Sequence, residues 1–296
     1  MNFLLIGHAG YLGRGLHAYL RRSHKVVGWD RDEDLFKLDR AVLEREEIDC
    51  IINLSVMADR GSPRFLAGTP TDQVNVQGAR FLAEILSGTH IGWIQMSTRE
   101  VYGPVYTPED VVETDMGLRP KKLVGETQPY APVNFYGKSK IVAEFLSESH
   151  ERSAVIRLTT CYTDYDHPAG NWVVALIRNA MKGEPVTLTN AGRQFRDPLH
   201  VNDLGSMMEA IATKEAWGES FNAGGGDQNL ISLEEFVRVA APDVEVVAAG
   251  GGDLGFAFDI AKAQSILEWN PRVLVRERIP VIAENIRRGI TDPPAG

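Results

Sequence analysis

A doubly wound α/β fold, a mostly parallel sheet covered by helices on both faces, is predicted for this chain of 296 residues by three observations. Strand and helix signals alternate up to about residue 165; the first strand runs directly into a glycine-rich turn and a helix; and the second strand ends in an acid. The expected strands are residues 2–6, 25–29, 50–54, 91–96 and 153–158. Residues 166–296 are more mixed, with helices expected near 171–182, 202–213, 232–240, 261–267 and 276–288 and short strands between them. The expected organisation is a body over 1–165 and a smaller mixed α/β lobe over 166–296, interleaved and not independently folding.

Asn2-Phe3-Leu4-Leu5-Ile6 is an apolar run short enough for a buried strand, and Gly7-His8-Ala9-Gly10-Tyr11-Leu12-Gly13 follows it. Leu12, Leu16 and Leu20 recur at helical spacing, so the turn lies between a strand and a helix, as a Rossmann-type dinucleotide fold requires. Gly7 permits the tight turn, Gly10 lets the backbone approach a pyrophosphate, Gly13 allows close helix packing, and the helix N-terminus presents unpaired amides to the phosphates. Lys25 to Asp30 reads as a second strand ending in a carboxylate 23 positions after Gly7, the distance at which an acid meets the adenosine ribose. Such a carboxylate repels a 2′-phosphate and favours NAD. The guanidinium of Arg31 suits that phosphate, which keeps NADP as the alternative.

Tyr136-Gly137-Lys138-Ser139-Lys140 puts a phenol and an amine four residues apart, on one face of a helix. A phenol with a pKa of about 10 is protonated at neutral pH, and a nearby lysine cation together with an oxidised nicotinamide ring is expected to lower that value by about two to three units. With the hydroxyl of Thr98, reached through Ser97-Thr98, these groups can draw a proton from an alcohol while it is oxidised. Arg99 stays protonated and cannot donate a proton to a leaving hydroxyl; it suits a carboxylate, a phosphate or a developing enolate.

The glycine turn, Asp30, Ser97-Thr98 and Tyr136 to Lys140 together resemble the extended short-chain dehydrogenase/reductases, in particular their NAD-dependent sugar epimerase/dehydratase group, over nearly the whole chain. The resemblance implies that Tyr11, Leu12 and residues 49–55, with Leu54, meet the cofactor, that Asn75, which opens the following helix, also contacts it, and that Asp39 contacts the adenine. Ser97-Thr98-Arg99-Glu100-Val101-Tyr102-Gly103 resembles the version found in nucleotide-sugar 4,6-dehydratases and decarboxylases, where the acid, here Glu100, removes the C5 proton of a transient 4-keto sugar. Gln194 to Asp203 resembles the substrate-side motif in which Arg196 binds the nucleotide-sugar phosphates, with Arg193 as helper. A net NAD(P)H-dependent keto-sugar reductase and a non-catalytic dinucleotide sensor are the alternative readings. The resemblance also implies a homodimer, paired through the helix after Asn75 and the helix carrying Tyr136.

With 44% hydrophobic and 24% charged residues the chain can bury a substantial core, and its net charge of −9 argues against nucleic-acid or anionic-membrane partners. Local arginines must then capture any phosphate. Cys50 and Cys161, the two cysteines, exclude a disulfide scaffold, and no metal site is expected. No apolar run approaches the ~18 residues of a membrane span, and no leader pattern is present, so a cytoplasmic address is expected. Residues 103–136, with five prolines among charged residues, read as a long loop over the active site.

Overall fold

A computed structural model describes residues 1–30, 33–167 and 170–293. In it six strands form one sheet: β1 (Asn2–Ile6), β2 (Lys25–Trp29), β3 (Cys50–Asn53), β4 (Gly92–Thr98), β5 (Ser153–Leu158) and β6 (Glu219–Ala223). Every pairing in it is parallel, in the order β6-β5-β4-β3-β1-β2. Alternation along the strands assigns their side chains to two separate cores. Phe3, Leu5, Cys50 and Ile52 face one layer, while Leu4, Ile6 and Ile51 face the other. Because both layers are covered, β3 and β4 are buried at every position, including the polar Asn53, Gln95, Ser97 and Thr98.

The first layer is closed by α1 (Tyr11–Leu20) and α6 (Val201–Thr213), which pack on each other. The second is closed by α2 (Arg40–Arg45), α3 (Gly78–Leu86) and α4 (Phe135–Glu148), through Leu43, Leu82, Leu86 and Ala143. The sheet crosses the expected boundary at residue 165, since β6 and α6 come from beyond it. Helix α8 (Ala261–Leu267) packs on α6 and β6, whereas α5 (Trp172–Ala180), α7 (Leu233–Ala240) and α9 (Val275–Arg287) form a separate core around Ile177, Phe236 and Ile279 in the lobe.

The strand order reverses between β1 and β3, and there the carboxyl ends of the strands open a crevice. The long loop departs from expectation. It contains a hairpin, Val111–Thr114 against Gly117–Pro120, whose Leu118 amide donates to the Arg193 carbonyl, and its far end joins the lobe through Val124 and Ala257. Among the described residues lining the cleft, none lies between 101 and 134. Proline-rich spacing reads as open loop, but tertiary pairing with the lobe gave this segment its own structure.

Candidate active site

A cleft of about 1260 Å³ runs along the strand ends, lined by Gly7, Gly10, Leu12 and Gly13 after β1, Asp30 after β2, Leu54 to Met57 after β3, and Thr98 to Glu100 after β4. Its far end is closed by the lobe, through Trp172, Thr189, Gln194 and Arg196. The glycine turn is a cradle with no room to spare. A Cβ at Gly13 would lie 2.1 Å from the Gly7 carbonyl oxygen, so the helix start can come this close to β1 only with glycine there. The Asp30 carboxylate accepts from the Ala9 amide at 2.8 Å, which ties the acid to the turn and aims it along the same wall. These features fit a dinucleotide. Tyr11 lines the cleft too, but its phenol accepts from the Thr163 amide at 3.0 Å, and burial pushes its pKa up to about 12.

Helix α4, which carries Tyr136 and Lys140, starts at Asn134, whose side chain caps the Gly137 amide at 2.8 Å. The Phe135 and Tyr136 amides donate outward, to the carbonyls of Ser62 and Asp59, so the loop after β3 and the helix are fixed to each other. Gly137 allows the helix to press on the strand end: a Cβ there would sit 2.6 Å from the Glu100 carbonyl oxygen. Tyr136 and Lys140 consequently face the cleft together, and both are buried. The Thr98 side chain hydrogen-bonds the phenol. Lys140 Nζ donates to the Ser55 carbonyl at 3.3 Å.

The electrostatics differ from the simple expectation. Burial dominates and pushes Tyr136 up to about 12, opposed by the Thr98 hydrogen bond and by the Arg60 guanidinium, which lies 4.9 Å from the ring centroid. Burial also brings Lys140 down to about 8, offset by Glu144 one helical turn further along. Glu144 belongs to a buried network: it pairs with Arg157 at 2.8 Å, accepts from Tyr130 at 2.6 Å and takes a short hydrogen bond from Ser97. The i, i+4, i+8 spacing of Tyr136, Lys140 and Glu144 is a signal that a helical reading of the sequence contains. Arg60, a lone arginine in an irregular loop, carries no such signal.

Glu100 is held by Arg60 Nε at 2.6 Å and by Asn134 Nδ2 at 2.7 Å. Arg196 forms a two-point pair with Asp253 at 2.8 and 2.9 Å while lining the cleft. Gln194, 2% exposed, donates to Thr189 and leaves its buried carbonyl oxygen without a partner at the cleft wall.

Three expected contacts are placed elsewhere. Asp39 caps α2, accepting from the Val42 amide at 2.9 Å, and among the described residues the acids on the cleft at that end are Asp30 and Asp34. An acid just before a helix satisfies a first-turn amide, and here that role wins. Asn75 bonds both the amide and the carbonyl of Met57 at 2.9 Å and reaches Ser139 at 2.8 Å, so it positions the loop after β3 without lining the cleft. Arg193 is drawn to Glu113 at 2.9 Å and to the Thr114 carbonyl, and it is absent from the described cleft lining. Arg31 lies outside the described residues.

The chain belongs to the NAD dependent epimerase/dehydratase family, whose model matches residues 3–224. Its members of this kind are NAD-dependent enzymes with the fold described above. The chain is similar to a dTDP-glucose 4,6-dehydratase of Salmonella typhimurium, with 31% identity over 92% of this chain and 88% of that one. It is also similar to UDP-glucuronic acid decarboxylase 6 of Arabidopsis thaliana, with 26% identity over 97% and 89% of the two chains. Among solved structures, the dTDP-glucose 4,6-dehydratase of Bacillus anthracis in complex with NAD superimposes with a TM-score of 0.79 at 21% identity, covering 97% of each chain. Among the described residues, no helix is long and apolar enough to cross a membrane.

Proposed function

We propose that this chain converts a nucleotide sugar through a transient 4-keto sugar, as an epimerase, dehydratase or decarboxylase, while keeping its NAD. The observation that supports this reading is that Tyr136, Thr98, Lys140 and Glu100 line one cleft, with the Thr98 side chain hydrogen-bonded to the Tyr136 phenol. NAD, when bound, supplies the reversible two-electron oxidation of the sugar alcohol and the positive charge of its oxidised ring. Asp30 is the residue to receive the adenosine ribose, the Gly7–Gly13 turn the pyrophosphate, and Lys140 the nicotinamide ribose.

Tyr136 is the base for the O4 proton. Its pKa near 12 already contains the lowering by Thr98 and Arg60, and forming the phenolate at pH 7 still costs about 7 kcal/mol, so the positive charge of oxidised NAD, when bound, must lower that figure. Thr98 also donates to the sugar oxygen, and the proton held on Tyr136 returns to it when the ketone is reduced. The ketone acidifies C5, and the Glu100 carboxylate, held by Arg60 and Asn134, accepts that proton. Arg196 binds the diphosphate by exchanging Asp253, which is 47% exposed, for phosphate oxygens.

The exposed Phe145 on α4, beside α3, supports pairing of two copies through these helices. The two buried, unpaired cysteines suit a reducing cytoplasm. The test is to release and identify the bound dinucleotide by mass spectrometry, then follow UDP-, dTDP-, GDP- and CDP-sugars by NMR. Conversion without added cofactor supports the reading, and turnover that consumes NAD(P)H stoichiometrically contradicts it.

A further inference from the structure

Arg99 feels three carboxylates, and each is engaged elsewhere. Glu100 is bound by Arg60 and Asn134. Asp253 grips Arg196 with both oxygens. Asp197, 1% exposed, accepts from Thr159 Oγ1 at 2.6 Å and from the Phe258 amide at 2.9 Å. Among the described residues none of them forms an ion pair with Arg99, whose guanidinium instead lies 5.0 Å from the Phe256 ring centroid while lining the cleft. Burial and then the neighbouring Arg196 disfavour its charge, yet an arginine does not give up its proton here. The wall therefore holds a half-buried cation with no ion-pair partner among the described residues, open to the counter-charge of a ligand.

Position selects the ligand. Arg99 directly follows Thr98, whose hydroxyl meets the Tyr136 phenol, and both line the cleft, so its backbone leaves the strand end next to the point where the reacting carbon would sit. On a pyranose reacting at C4, the C5 substituent is the neighbour, whereas the anomeric oxygen bearing the diphosphate lies across the ring. We infer that Arg99 pairs with a carboxylate carried at C5 of the sugar, so that the preferred substrate is a nucleotide hexuronic acid. A planar guanidinium matches a carboxylate at two points, which makes Arg99 a determinant of specificity and not of phosphate binding. This inference rests on the nucleotide-sugar reading given above.

The test uses the NAD-loaded full chain and calorimetric titration with two matched pairs, UDP-glucuronate against UDP-glucose and dTDP-glucuronate against dTDP-glucose. Within at least one pair, the unmodified protein is expected to bind the uronate about tenfold or more tightly than the neutral sugar. Arg99→Met is expected to reduce that ratio to about one with the neutral sugar unchanged. Arg99→Lys, which keeps the charge and loses the fork, is expected to retain part of the preference, and it serves as the readout if the methionine variant does not fold. Equal affinities in the unmodified protein overturn the inference and leave the nucleotide-sugar reading intact. So does an Arg99→Met protein that loses both sugars equally, since that is the signature of a diphosphate contact. Failure of all four ligands to bind overturns the inference, and the nucleotide-sugar reading falls with it only if GDP- and CDP-sugars are not converted either.

Discussion

The two ends of the cleft are built from different materials. At the cofactor end the binding surface is backbone: a strand, three glycines spaced along one turn, and a helix start whose approach is limited by a single missing Cβ at Gly13. At the sugar end it is charge, carried by side chains from distant segments, and each charge is either spent on a partner or left for a ligand. Arg60 is spent on Glu100 and Arg196 on Asp253, while Arg99 is not spent. A backbone surface is specified locally and tolerates little change. A charge surface is specified by pairing, so an arginine's chemistry follows from who reaches it first.

The largest effect should come where the two ends meet. Tyr136→Phe removes the proton acceptor and leaves the fold, so conversion of a nucleotide sugar, followed by NMR, should fall by about 10³-fold or more while bound NAD is retained. Comparable conversion by the two proteins would separate the phenol from the chemistry.

Below the site, Glu144→Ala leaves the Arg157 guanidinium buried without its carboxylate, and denaturant unfolding should show a loss of about 3 to 5 kcal/mol. Their side chains are only 0% and 6% exposed, so solvent cannot replace the lost partner. A loss below 1 kcal/mol would mean that Tyr130 and Tyr102 hold the region without the pair.

Asp197 tests the charge-built end by pH. Burial raises its carboxyl to about 7 from 3.8, so between those values the folded protein binds more protons than the unfolded chain, and stability falls as pH rises. The change across the window is up to about 4 kcal/mol, and Asp197→Asn should flatten it. Unfolding curves of equal slope for both proteins between pH 4 and 7 would contradict the assignment.

The smallest effect is expected at Arg193, which is occupied by a partner, Glu113, that is 71% exposed. Arg193→Ala should leave the KM for nucleotide sugar within about twofold and cost at most about 1 kcal/mol of stability. A large rise in KM would return Arg193 to the substrate.

This division also explains what could be read without a structure. Residues 2–6, 25–29 and 153–158 match the observed strands, and the Gly7–Gly13 turn, Asp30, Tyr136 and Lys140 line one cleft, because local periodicity and glycine spacing dictate their positions. β6 and the hairpin at Val111–Pro120 were not legible, since each depends on a distant partner: β5 for the first, the lobe around Arg193 for the second. The same holds for side chains. Asp39 reads as a ligand until α2 starts behind it, and Asn75 until Met57 and Ser139 take its amide. Arg60 was invisible because only the fold brings residue 60 over residue 136.

The central claim, oxidation at C4 with the hydride returned to the same sugar within one turnover, is tested most directly with a nucleotide sugar deuterated at C4. The account predicts that the deuterium is recovered in the product sugar, with no dependence on added NAD and none released to the pool. Product that has lost its deuterium in step with consumption of added NAD would contradict it.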